Sequence, residues 1–197
     1  MSFLVERFCG IDYGTKMSGN TALAYLDDTD IQVLQCPKNT DADQWITTQV
    51  THLNLEKIYL DAPLSLPGGF LGYNDQFHYR ACDLELSAMS PMFLGGLTAR
   101  AISLSKGLEK QKVTSYEVYP GGFIRTHDTL RACYHKKDVT TVSYMVKNLI
   151  QIFPFAIQTP IENYHQVDAL ICWWIGFRHT QGVAKAYGDE KEGQIWI

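Results

Sequence analysis

The 197-residue sequence is short of positive charge. Its 17 lysines and arginines are outnumbered by 21 aspartates and glutamates, for a formal net charge of −4. It therefore lacks the broad basic surface with which proteins hold long duplexes by neutralising phosphates, and any nucleic-acid contact is expected to be a local patch. Cys9, Cys36, Cys82, Cys133 and Cys172 are odd in number, widely spread and never spaced as Cys-x-x-Cys. That excludes a disulfide framework or a zinc ribbon and points to free thiols in a reducing cytoplasm. No apolar run reaches the roughly 18 residues of a membrane span, and "MSFLVERFCGID" has no charged start, apolar stretch and cleavage site. The expectation is a cytoplasmic protein with no membrane contact. Walker A and Gly-x-Ser-x-Gly signatures are absent, as are repeats and low-complexity tracts, which removes the commonest phosphate loop and the serine-hydrolase elbow.

What is present is a globular composition, 46% hydrophobic and 19% charged, in a length suited to a single core. Residues 3–12, 21–26 and 31–36 read as three strands of an antiparallel meander, joined by a Gly/Ser/Asn turn and by "DDTD". Asp41 with Gln44 forms a capping box that opens a helix bearing Ala42, Trp45, Ile46, Val50 and Leu53 on one face. Residues 57–64, "KIYLDAPL", make a buried strand stopped by Pro63, with Asp61 as its last strand residue. Residues 65–112 are long for a connection and read as a helical insertion, with helical signals over 74–89 and 97–111. Residues 113–120 supply a fifth strand with Glu117 facing inward. Helices over 123–133 and 139–152 follow, and a last long helix starts near Asn163, with Gln166 at its capping position. In that helix Trp174 is expected in the core, with Trp173 under the insertion or the C-terminal tail. The tail "EGQIWI" reads as a short edge strand or a packed extended segment.

A meander, a crossover helix and parallel strands describe an α/β fold: an RNase H-like mixed five-stranded sheet flanked by helices, with a helical insertion between strands four and five. Reactive groups in such sheets gather beyond the carboxyl ends of the parallel strands. Asp12 and Asp61 stand at two such ends, and Asp168 lies in the early turns of the last helix, one turn after His165. If strands one and four are neighbours, ~4.8 Å apart, the two strand-end carboxylates can share a cation. Three hard oxygen donors suit Mg2+ or Mn2+, and a pair of ions bridged by Asp12 would activate water and steady the leaving oxygen in phosphodiester cleavage. Taken singly, each acid could equally be a turn residue or a helix cap. Together they fall at the three positions that converge in this architecture.

"GIDYGTKMSG", "IYLDAPLSLPGG", "YRACDLELS", "YEVYPGG" and "HQVDALICWWIGFRHTQG", in this order and spacing, resemble a family of predicted nucleases with an RNase H-like fold, the domain of unknown function 429 type. That family is distantly similar to Holliday-junction resolvases. The resemblance implies metal ligation by Asp12, Asp61 and Asp168, with His165 at a place where the resolvases carry an acid or histidine. It also marks Arg80, Asp83 and Glu117 as motif residues. On this reading the protein is a divalent-metal-dependent nuclease, with Lys16, Arg80 and Asp83 on the substrate and His165 assisting at the metal. Arg80, Arg100, Lys106, Arg125, Lys136 and Lys137 are the candidates for a nucleic-acid patch. DNA or RNA, internal or terminal cutting, and a homodimer are left open. Two rivals stand beside it: a non-catalytic binding scaffold on the same fold, and a nucleotide-binding protein of the actin or sugar-kinase type, whose phosphate loop resembles "DYGTKMSG".

Overall fold

A computed structural model describes residues 7–197. Strands β1 (Phe8–Asp12), β2 (Ala22–Asp27) and β3 (Asp30–Gln35) form the expected antiparallel meander. Residues 3–6 of the first expected strand lie outside the described residues. Helix α1 (Ala42–His52) is capped by Asp41, whose side chain accepts from the N–H groups of Asp43 and Gln44. It leads to β4 (Lys57–Asp61), which lies parallel to β1, and β5 (Thr114–Glu117) in turn lies parallel to β4. The order β5-β4-β1-β2-β3 is the RNase H-like arrangement anticipated from the element pattern. It is extended by a sixth strand, β6 (Ala156–Ile157), parallel to β3. No helix among the described residues is long and apolar enough to cross a membrane.

Between β4 and β5 run four helices: α2 (Gly68–Leu71), α3 (Ala81–Glu85), α4 (Pro91–Leu94) and α5 (Gly96–Glu109). The helical signal over 97–111 is thus realised, whereas the one over 74–89 shrinks to the five residues of α3. Arg80 sits at its N-cap, its main-chain N–H bonded to Asp83 at 2.9 Å. The residues before it run in turns, with the Asn74 side chain accepting from the N–H of Gln76. After β5 the expected helix over 123–133 is two helices, α6 (Pro120–Arg125) and α7 (Asp128–Cys133). Pro120 opens α6, where a missing N–H costs nothing. A 3-10 turn then leads into α8 (Val142–Ile150). Helix α9 (Tyr164–Thr180) follows, and β7 (Ala186–Tyr187) pairs with β8 (Ile195–Trp196), which also bridges to Val118 beside β5.

The strand alternation decides which side chains can reach the site. In β1, Cys9 and Ile11 face one layer, with Ile46 and Val50 of α1 and Leu104 and Leu108 of α5. Phe8 faces the other layer, with α9. Gly10 faces α9 as well, and Asp12 is the next residue on that side. In β4, Ile58 and Leu60 face α1 and α5 while Tyr59 faces α9, so Asp61 also points to the α9 side. Two glycines let α9 lie directly on these strands. A Cβ at Gly10 would come within 1.9 Å of the Trp173 main-chain nitrogen, and one at Gly176 within 2.4 Å of the Tyr59 ring.

The close seat reverses the expected tryptophan roles. Trp173 is fully buried and stacks on Phe8 and Phe177 at centroid distances of 5.7 and 5.6 Å. Trp174 is the half-buried one, stacked on Phe153 at 5.1 Å. With most of α9 buried, its periodicity no longer tells inner from outer positions.

Candidate metal centre and its cleft

Asp12 and Asp61 end adjacent parallel strands and are direct partners in the β1–β4 register. Asp168 stands in the second turn of α9, above the same edge. One carboxylate oxygen from each of the three lies within 4.8 Å of the others. Asp12 and Asp168 are buried, and Asp61 is half-buried.

Three acids so close in a poorly solvated place disfavour full ionisation. Burial, then the charges of Asp12 and Asp168, push the Asp61 carboxyl well above the usual carboxylate range. Burial likewise lifts Asp168, to about 6, against the opposing pull of the Lys136 ammonium. The triad is steadied from one side. Lys136 forms an ion pair with Oδ2 of Asp168, and the Tyr134 hydroxyl donates to its Oδ1 at 2.5 Å. Burial would lower the Lys136 ammonium, but the three carboxylates hold it above its ordinary value.

His165 bonds through Nδ1 to Oδ2 of Asp12 at 2.7 Å. That contact raises the imidazole above its usual range, so the ring acts as a donor to Asp12. Asn163 fixes the turn by capping the N–H groups of His165 and Gln166. Gln166 itself reaches back to the N–H of Glu162 at 2.7 Å. His165 therefore stands next to the triad, outside the set of converging donors. Cys172, one turn beyond Asp168, is fully buried, and burial followed by the three carboxylates pushes its thiol far up. The ligand atoms that converge among the described residues are carboxylate oxygens. Three carboxyl groups that converge beside one lysine and one histidine offer hard oxygen donors, and this donor set fits Mg2+ or Mn2+.

Asp12 and Asp61 open into a cleft of about 350 Å3, with Asp168 buried behind them. Asp12, Tyr13 and Asp61 form its floor, Met89, Leu94 and Leu97 from the β4–β5 connection one wall, and Glu117, Tyr119 and Lys136 the rest. Lys136 was legible only as one of several scattered cations, and Tyr134 not at all. Both sit on a turn held in place by Tyr164 at the start of α9. Its hydroxyl accepts from the His135 N–H at 3.0 Å and donates to the Cys133 carbonyl at 3.1 Å.

Other expected site residues lie elsewhere. Lys16 is half-exposed on the β1–β2 turn and pairs with Asp41 at 2.9 Å. Arg80 has no exposed surface and is enclosed by Asp83, Glu117 and Ser65, so it has no free face for a substrate phosphate. Asp83 and Glu117 do line the cleft. The expected basic patch also loses Arg100, bound to Asp43 and the Gly14 carbonyl, and Arg125, bound to the Leu86 carbonyl. These three arginines tie chain segments together.

No protein-family model and no curated protein matches the chain. Among solved structures it is similar to the crystal structure of the yeast mitochondrial Holliday junction resolvase Ydc2. The two share 14% identity over 90% of this chain and 82% of that one, with a TM-score of 0.43. At this distance the likeness assigns no role to any residue, and the site stands on its own geometry.

Proposed function

We propose that the chain is a divalent-metal-dependent phosphodiesterase that cuts nucleic acid, built as one RNase H-like domain over residues 1–197 with 65–112 as a helical insertion. The observation that carries this reading is the convergence of Asp12, Asp61 and Asp168, from two strand ends and one helix, within 4.8 Å of one another, with Asp12 and Asp61 lining a cleft. These three residues would hold Mg2+ or Mn2+. When bound, the ion supplies Lewis-acid chemistry: it lowers the pKa of an attacking water and steadies the leaving oxygen.

The chain's own groups do the remaining work. His165 orients Asp12 through its Nδ1 proton. Tyr134 fixes the rotamer of Asp168. Lys136 is ion-paired to Asp168 yet half-exposed on the cleft wall, where its ammonium can meet a phosphate oxygen. Lys16, on the turn that follows Asp12, is accessible enough to contact the backbone further along a strand. Met89, Leu94 and Leu97 give the cleft an apolar wall suited to sugar and base.

The test is cleavage of a panel of branched, single-stranded, duplex and hybrid substrates with Mg2+ or Mn2+. The proposal expects metal-dependent cleavage of at least one of them, with Asp12→Asn reducing it by about a hundredfold to a thousandfold, as expected when an electrostatic anchor of the reaction is lost. A non-catalytic binding module on the same fold is the alternative. It is favoured by the exposed Phe70, Tyr73, Phe77 and Phe93 of the insertion. Metal-independent binding of nucleic acid, without cleavage of any member of the panel, would select it.

A further inference from the structure

Among the described residues Arg80 is the only buried arginine or lysine, and each of its five guanidinium N–H groups has a partner. Nε and Nη2 reach the two oxygens of Asp83 at 3.1 and 2.7 Å. Nη1 and Nη2 reach the two oxygens of Glu117 at 2.7 and 2.6 Å. Nη1 also donates to Ser65 Oγ at 2.8 Å. The carboxylates are held independently as well: Asp83 Oδ2 accepts the Arg80 main-chain N–H at 2.9 Å, and Glu117 Oε2 accepts the Leu64 N–H at 2.8 Å. One guanidinium thus faces a hydroxyl and two carboxylates, each carboxylate also fixed by a backbone N–H, a set of hard oxygens that suits a divalent cation.

The position of this cluster gives it a consequence for the site. Glu117 ends β5 and pairs in register with Leu60, next to Asp61. Glu117 and Asp83 line the same cleft as Asp12 and Asp61.

We propose that Arg80 is a resident cation: a positioning residue that occupies, with its guanidinium, a second cation position in the cleft wall and so keeps Asp83 and Glu117 out of the ligand set of the triad. Its five directed bonds fix the insertion to the ends of β4 and β5. Its charge leaves the wall with one uncompensated negative charge in place of two, which lowers the repulsion felt by a phosphate substrate. An exchangeable metal is then confined to the Asp12, Asp61 and Asp168 position. The proposal deepens the phosphodiesterase reading, and it predicts a gain of binding that a merely structural arginine would not give.

The test is the number of Mn2+ ions bound per chain, followed by the loss of the free-ion electron paramagnetic resonance signal. The proteins are wild type, Arg80→Met, Arg80→Lys and the double variant Arg80→Met/Glu117→Gln. Arg80→Met is expected to bind one ion more than wild type, and Arg80→Lys and the double variant the wild-type number. If Arg80→Met does not fold in metal-free buffer, Mn2+ is expected to restore its circular dichroism, and not that of the double variant. An unchanged ion number in Arg80→Met, a gain retained by the double variant, or failure of Mn2+ to restore folding overturns the proposal. Wild type binding no ion while Arg80→Met binds one would reject the triad as a metal centre and leave the role of Arg80 standing. Wild type binding ions with no increment in Arg80→Met would do the reverse.

Discussion

Asp12 and Asp61 face each other across the β1–β4 ladder as direct register partners, so two carboxylates are fixed side by side by backbone hydrogen bonds before any ligand arrives. Such a pair is held by the fold against its own repulsion. An aspartate in this position is expected to cost the metal-free protein stability, which a bound cation would recover.

Removing one of these charges should therefore stabilise the apo protein. The Asp61 carboxyl is raised above its ordinary value of 3.8, so above that pH the folded state holds more protons than the unfolded state. Stability then falls as pH rises through this window. Asp61→Asn is expected to raise the apo melting temperature at pH 7, by about 2–4 °C for each kcal/mol of repulsion relieved, and to flatten its decline between pH 4 and 7. The same variant should lose the upward shift that Mg2+ gives wild type. Thermal melts across pH, with and without Mg2+, check both.

Lys136 pairs with Oδ2 of Asp168, an oxygen that a metal ion at the triad would also use. Lys136→Met is expected to tighten Mn2+ binding by about tenfold, equivalent to ~1.4 kcal/mol, while Lys136→Arg stays near wild type. Calorimetric titration measures this. Weaker binding in Lys136→Met would mean that the ammonium supports the ion instead of standing in for it.

His165 reports on Asp12. Its imidazole is raised by the hydrogen bond to Asp12, so the contact stabilises the fold fully below the unfolded histidine value and less as pH rises through the folded one. An NMR titration of the His165 ring should give a value above 6.5 in metal-free buffer. Mg2+ should bring it down, because the ion withdraws the charge that holds the ring's proton.

Gly10→Ala tests whether the seat of α9 builds the site. The added Cβ would meet the main-chain nitrogen of Trp173 at 1.9 Å and the Ala169 carbonyl oxygen at 2.6 Å. A backbone cannot rotate away as a side chain can. The expected cost is about 3 kcal/mol or more in denaturant unfolding, at the upper end for overpacking, with Mn2+ affinity lost as Asp168 moves from Asp12. Gly176→Ala, which meets the Tyr59 ring, should cost less.

The acids of the site were legible because each follows a strong local pattern: two apolar strands that end on aspartate, and a capped helix with aspartate in its second turn. The same patterns carried the meander, α1, β4, α5 and the start of α9. Where the sequence misled, local pattern and tertiary contact diverged. Arg80 and Asp83 fall within the helical signal over 74–89 and are expected on the substrate, yet Arg80 caps a short helix and turns inward to Asp83 and Glu117. Trp173 and Trp174 could not be told apart on a helix buried on most sides. Strand β6 has two residues between Pro154 and Pro160, too few to show any period. It exists because β3 offers a free edge, where the Val33 N–H also bonds to Thr159. Lys136 and Tyr134 belong to a loop whose place depends on Tyr164, thirty residues away in the chain by the Thr/Tyr and Cys/Tyr contacts that only the fold creates.

Anomalous diffraction from crystals of the full chain grown with Mn2+ tests whether Asp12, Asp61 and Asp168 form a divalent-cation site. An anomalous peak bounded by the three carboxylates is expected in wild type, and none in Asp12→Asn. A wild-type crystal saturated with Mn2+ that shows no peak between these residues would contradict that assignment.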